Sequence, residues 1–363
     1  MRLSGFIQEK DNNFNLIRFI AASAVLLGHS FALLNRPEPL GKTLGISIGS
    51  IAVDLFFITS GFLVAGSLLS KQSAMDYIWA RILRIYPALI VMCLLVVFGL
   101  GIFFTSLPAN AYLNRPATYA YLGRCMTLLG GVAYYLPGVF SDNPYKGAVN
   151  GSLWSMVYEI KMYILLLLFW LVCSIGHAKN GNRVKRTSLL VVANTVFAYI
   201  LTIARRLYGL EEDLFIHFDF MFFTGATYWV LRERILLSLN IFLAVIGTLL
   251  ASVLISTQAF SVVYQLSIAY VLFYLAYVPA GFVRKYNALP DNSYGIYIYA
   301  FPVQQSLIAL FPGISVSALT AASFGITLCF AYASCYLIEQ PALKLKKIFG
   351  KRTIVTTPSP AAT

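Results

Sequence analysis

Charge is scarce in this chain: 11% of its 363 residues are Asp, Glu, Lys or Arg, against about 25% in a soluble globular protein. With 59% hydrophobic residues, that shortage excludes an ordinary water-soluble domain. Acid is scarcer than base, 14 Asp and Glu against 27 Lys and Arg. A formal charge of +13 can signal nucleic acid, but here the basic residues lie between and beside apolar runs, where they set membrane topology, so no nucleic-acid partner is expected. Histidine is rarer still. The three, His29, His177 and His217, are scattered and offer no metal-ligand cluster. The five cysteines are odd in number, and four of them fall in apolar runs, so they read as small core residues without a disulfide framework. Phosphate-binding glycine loops, a dinucleotide fingerprint and a nucleophile elbow are all missing.

What the chain does have is apolar runs of membrane length. They predict an all-α, polytopic transmembrane helical bundle of about ten spans, near 15–34, 47–70, 85–106, 153–175, 187–204, 214–231, 235–256, 260–281, 293–311 and 316–338. With the N-terminus in the cytoplasm, most basic residues fall on the cytoplasmic side, among them Lys71, Arg81, Arg84, Arg183, Arg232, Arg284 and Lys344. That asymmetry predicts both termini cytoplasmic and a multi-pass protein of the cell inner (cytoplasmic) membrane. Residues 119–139 are apolar but contain Arg124, Gly130, Gly131 and Pro137, so they are expected in a long outer loop. The first apolar run is too long for a signal peptide and follows Glu9, Lys10 and Asp11. Residues 1–345 form one expected transmembrane domain, and 346–363 a short, basic, disordered cytoplasmic tail.

Charged residues inside a membrane-length segment are costly and are functional candidates by default. Arg18 and His29 lie eleven residues apart in the first run. At about 100° and 1.5 Å per residue they share a helix face and stand roughly 16 Å apart along it. Asp54, in the antiparallel second run, is expected at the depth of His29. A carboxylate beside an imidazole fixes its tautomer and raises its basicity, so His29 and Asp54 are predicted as a general-base dyad. Arg81 and Arg84 are three apart and share a face, a pairing suited to phosphate as well as to plain topology. Glu159 enters the fourth run a turn and a half after Trp154 and needs a partner or a polar cavity. The tyrosines of Ser293–Pro302, Tyr297 among them, suit an interfacial belt or a substrate contact. His217 and Asp219 fall on different faces of one helix and are not expected to pair.

Taken together, these segments resemble the acyltransferase 3 family of integral membrane acyltransferases. The matching stretches are Arg18 to His29, Val53–Leu63, Arg81–Pro87, Leu136–Phe140 leading into Asn150–Glu159, Ser293–Pro302 and Glu339–Pro341, in the family's order over nearly the whole chain. The resemblance implies transfer of an acyl group, often acetyl, from acyl-CoA to a carbohydrate hydroxyl on an exopolysaccharide, an O-antigen or a lipid-linked glycan. Acetyl-CoA is then a co-substrate and no cofactor is permanently bound. The family's arginine and histidine motifs fall on Arg18, Arg81, Arg84 and His29. Arg18, Arg81 and Arg84 are thus expected to hold acyl-CoA, His29 and Asp54 to catalyse, and Trp154, Glu159 and Tyr297 to hold the acceptor. One position departs: Ala300 stands where the family often has a second histidine. Some members add an esterase-like domain; this chain is expected to act alone or with a separate partner. His29 as a base in direct transfer and His29 as a transiently acylated nucleophile both fit. The alternative from another class is a transporter or flippase for a lipid-linked sugar, which the absence of an internal repeat disfavours.

Overall fold

The structure is a computed structural model that describes residues 1–8, 11–175 and 180–346. His177 and the tail beyond Lys346 lie outside the described residues. Helix dominates, and among the described residues extended pairing is limited to isolated bridges such as Thr105 to Val139. Among the described residues ten long helices carry the fold: α1 Phe14–Leu33, α2 Ile48–Lys71, α3 Ala74–Leu94, α4 Trp154–Val172, α5 Asn180–Leu207, α6 Leu214–Val230, α7 Leu239–Ile255, α8 Thr257–Tyr277, α9 Ser293–Leu310 and α10 Val316–Ser334.

Eight of these lie within a few residues of an expected apolar run, and two begin earlier. Helix α3 starts at Ala74 rather than near 85, because Ser73 caps it by accepting the Asp76 backbone N–H at 3.2 Å. Helix α5 takes in the basic stretch from Asn180. Among the described residues seven helical stretches are long and apolar enough to cross a membrane. Of the remaining three, α6 and α7 have 17 residues each, and α9 is polar, with Gln304 and Gln305 fully buried. Residues 119–139 do not form a span-length helix. A 12-residue helix, Pro116–Thr127, gives way to irregular backbone tied to α9, where Asn143 donates to Gln305 Oε1 at 2.7 Å and Asn150 donates to the Ile298 carbonyl at 3.0 Å.

Two helices end in π turns, Leu95–Leu100 after α3 and Cys335–Glu339 after α10. A π turn shifts the face that the following residues present. The second leaves Glu339 2% exposed inside the bundle.

Helices α2 and α6 run parallel and touch backbone to backbone. A Cβ on Gly61 would stand 1.8 Å from the Phe222 carbonyl oxygen, and one on Gly225 would stand 1.9 Å from that of Ile58. Small residues permit this approach in a bilayer, where lipid supplies no hydrophobic drive for helix association. Gly61→Val should therefore force the helices apart and lower stability by about 3 kcal/mol, read by thermal denaturation in detergent; unchanged stability would show that the crossing is loose.

Candidate active site

The helix directions sort the polar residues into two groups. Helices α1 and α9 start at one end of the bundle, where α2 and α10 finish. Arg18 of α1, Arg81 and Arg84 of α3, Ser293 of α9 and Glu339 meet there. At the opposite end α1 finishes, and α2, α4, α6 and α8 start. His29, Asp54, Trp154, His217 and Tyr264 meet there.

The arginine end is an ion network. Arg18 Nε lies 3.1 Å from Asp291 Oδ2, and Arg84 Nη2 lies 2.6 Å from the same oxygen. Arg84 Nη1 donates to Glu339 Oε2 at 3.4 Å. Asp291 sits just before α9 and accepts from the Ser293 backbone N–H at 3.1 Å and from its hydroxyl at 2.5 Å. Burial alone would raise the Asp291 carboxyl, but Arg18 and Arg84 beside it, with the Ser293 hydrogen bonds, hold it well below the usual carboxylate range. Arg81 differs from the other two arginines. Its guanidinium lies over the Tyr163 ring, 5.6 Å from the centroid, and its Nε has no hydrogen-bond partner among the described residues. A narrow cavity of about 90 Å³ joins the three arginines to Ser60, Ser155 and Glu159. Glu159 accepts from the Tyr163 hydroxyl and, at 3.2 Å, from Ser60.

The histidine end is roomier, with a cavity of about 510 Å³ lined by His29, Asp54, Trp154, Glu212, His217 and Tyr297 among others. The expected His29–Asp54 dyad does not form. Asp54 is 1% exposed and is taken by other groups: His217 Nε2 lies 2.7 Å from Oδ1, and the Tyr264 hydroxyl donates to Oδ2 at 2.9 Å. The cause is the α2–α6 contact, which carries Asp54 to His217, whereas His29 turns edge-on to Phe301 of α9 at 5.2 Å. His29 Nδ1 is buried with no hydrogen-bond partner among the described residues. His217 and Asp219 stay apart, as expected; Asp219 accepts from Asn194 at 2.9 Å. Glu212, outside the helices, lies 2.9 Å from His217 Nδ1, and the ring beside it holds this carboxyl below its usual range.

Trp154 lines the histidine cavity and packs on Phe218 at 5.6 Å between centroids. Glu159 does not join it there. Five residues on, it has moved about 7.5 Å along the helix and swung roughly 140° round it, into the arginine cavity. Tyr297 and Val53 line both cavities and form the wall between them. The Tyr297 hydroxyl is fixed by Ser155 Oγ at 2.5 Å and donates to the Ser152 carbonyl at 2.8 Å.

Asp291, Ser60, Tyr163, His217 and Tyr264 belong to this arrangement but were not singled out as site residues from sequence. Tyr163 could have been found, since it stands one helical turn after Glu159. His217 carried a signal too, as an imidazole in a predicted span that demands a partner.

Comparison with known proteins gives a consistent result. The family described as an acyltransferase domain matches residues 11–339. An "O-acetyl transferase" of Shigella phage Sf6 is 27% identical over 319 residues, covering 86% of this chain and 91% of that protein. "Nodulation protein 10" of Rhizobium leguminosarum bv. viciae is 28% identical over 370 residues, covering 92% of this chain and 94% of that protein. No solved structure matches the chain.

Proposed function

Because the chain belongs to this acyltransferase family, whose match runs over residues 11–339, we propose that it moves an acetyl group from acetyl-CoA to a hydroxyl of a carbohydrate in or at the cytoplasmic membrane. Family membership sets aside the transporter reading: the chain is an enzyme, an acyltransferase. The observation that carries the finer reading is the shared wall. An arginine cavity and a histidine cavity meet at Val53 and Tyr297. The first is narrow and cationic at its far end, suited to a linear acyl-pantetheine arm behind phosphates. The second lies within the size range of small-molecule sites and has an aromatic wall, suited to a sugar ring. The arginine end then faces the cytoplasm, with both termini, and the acceptor enters from the other side. The acceptor is a polysaccharide or a lipid-linked glycan.

In this reading His29 takes the proton of the acceptor hydroxyl, and the freed oxygen attacks the thioester carbonyl carbon. The C–S bond breaks, the CoA thiolate takes the proton from His29, and the products are the O-acetyl ester and CoA thiol. Tyr297 and Val53 stand where the thioester must cross, so they must give way to it.

Among the arginines, Arg81 is the clean test of the donor site. Arg18 and Arg84 already hold Asp291 and Glu339, whereas Arg81 is uncommitted to a carboxylate among the described residues. Arg81→Ala should keep the fold and weaken acetyl-CoA binding about tenfold or more, the loss of one charge-assisted phosphate contact. Thermal stabilisation of the purified protein by acetyl-CoA reads this directly. Equal stabilisation of wild type and variant would remove Arg81 from the donor site; no stabilisation of the wild type by any short acyl-CoA would sink the donor reading.

A further inference from the structure

His217 has no part in the transfer step above, yet of the two histidines among the described residues it is the one with charged partners at both ring nitrogens. Its Nε2 meets Asp54, 1% exposed, whose second oxygen is fixed by Tyr264. Its Nδ1 meets a different kind of partner. The Glu212 side chain is 55% exposed and stands 2.9 Å from Nδ1, but the contact is poorly aligned, and Nδ1 has no well-aligned hydrogen-bond partner among the described residues. An exposed pair of this kind is weak and readily replaced. Asp54 is thus the permanent partner of the ring and Glu212 an exchangeable one.

Resting on the reading of the histidine cavity as the acceptor site, we propose that His217 is an acceptor-binding residue that presents Nδ1 to a ring hydroxyl, at a position Glu212 covers until the acceptor displaces it. The chemistry selects a hydroxyl. With Nε2–H given to Asp54, a neutral ring has a lone pair at Nδ1 and a protonated ring has a donor there. A hydroxyl both donates and accepts, so it fits either form, whereas a carboxylate only accepts and fits one. The surroundings agree. Phe218, the next residue, packs with Trp154 into an aromatic wall, and Gln265, 2% exposed, lines the cavity with an Oε1 that has no hydrogen-bond partner among the described residues. A polyhydroxylated ring could stack on the wall while its edge meets His217 and Gln265.

Only three histidines occur in the chain, so carbethoxylation by diethyl pyrocarbonate can be followed at each by peptide mass spectrometry, with His177 as internal reference. The probes are methyl glycosides of a neutral hexose, a deoxyhexose and an N-acetylhexosamine, each added at high millimolar concentration in the presence of acetyl-CoA. At least one should slow modification of His217 threefold or more without changing His177. Glu212→Ala should speed modification of His217 about threefold, and glycoside should then protect it at lower concentration. His217→Gln should raise the acceptor KM more than tenfold while acetyl-CoA still stabilises the protein. Protection by none of the glycosides, a Glu212→Ala protein that needs more glycoside, or a normal acceptor KM in His217→Gln overturns the assignment. The Glu212 variant decides the matter even where the His217 variant does not fold. Loss of acetyl-CoA stabilisation in the wild type would instead mark failure of the donor reading.

Discussion

His29→Ala is expected to bind acetyl-CoA like the wild type and to transfer acetyl at least a hundredfold more slowly. The size follows from what a positioned acid–base group contributes, about 10²–10⁴ in rate. The sparing of the donor follows from geometry: His29 lines the histidine cavity, about 16 Å along α1 from Arg18, and touches none of the ion pairs that shape the arginine end. The Nε2 of His217 is committed to Asp54 and the carboxyl oxygens of Asp54 are committed to His217 and Tyr264, so none of these atoms takes over the work of His29. Rapid-quench assays with radiolabelled acetyl-CoA measure the loss and also separate two routes. Label that survives denaturation on the wild type and is missing from His29→Ala would put the acetyl group on His29 itself. Full turnover by His29→Ala would remove the residue from the chemistry.

The division of the chain into helices was legible because it depends on local properties: apolar runs of membrane length, broken by basic and glycine-rich segments. So was the shared face of Arg18 and His29, which needs only the helical repeat. The early start of α3 was also readable, from Ser73 and Asp76 at its cap. Pairings between helices were not. Asp54 reaches His217 rather than His29 because Gly61 and Gly225 let α2 and α6 come into backbone contact, and two glycines 164 positions apart announce nothing about each other in a sequence. Glu339 looked like the end of a helix; it is a buried partner of Arg84 because the α10 helix ends in a π turn, which an apolar periodicity does not reveal. Asp291 was hidden for a different reason. It lies outside every apolar run, where an acidic residue is ordinary, and only the folded chain brings it between two arginines.

That network carries the second large effect. Arg84→Ala, at first sight a donor-site variant, is expected to destabilise the protein by about 3–5 kcal/mol, since breaking a buried ion pair leaves a charge without compensation. Glu339 is the group left behind: its side chain is 3% exposed, and among the described residues its other hydrogen bond comes from Ser334 at 3.1 Å. Asp291 suffers less, because Arg18 still holds it. Removing the second charge should therefore help, and Arg84→Met with Glu339→Leu should recover at least half of the loss by replacing the pair with apolar groups of similar volume. The depressed Asp291 carboxyl adds a pH signature. A group whose folded value lies below its unfolded value stabilises the fold at all pH above the ordinary carboxylate range, and that contribution is lost only as pH falls from about 4 toward the folded value. The contribution of Asp291 to stability should accordingly be flat from pH 8 to pH 5 in wild type. Thermal or denaturant unfolding in detergent checks both points. A single Arg84→Ala variant as stable as wild type, with acetyl-CoA binding abolished, would show instead that Arg84 is held for the donor and that Glu339 finds its compensation elsewhere.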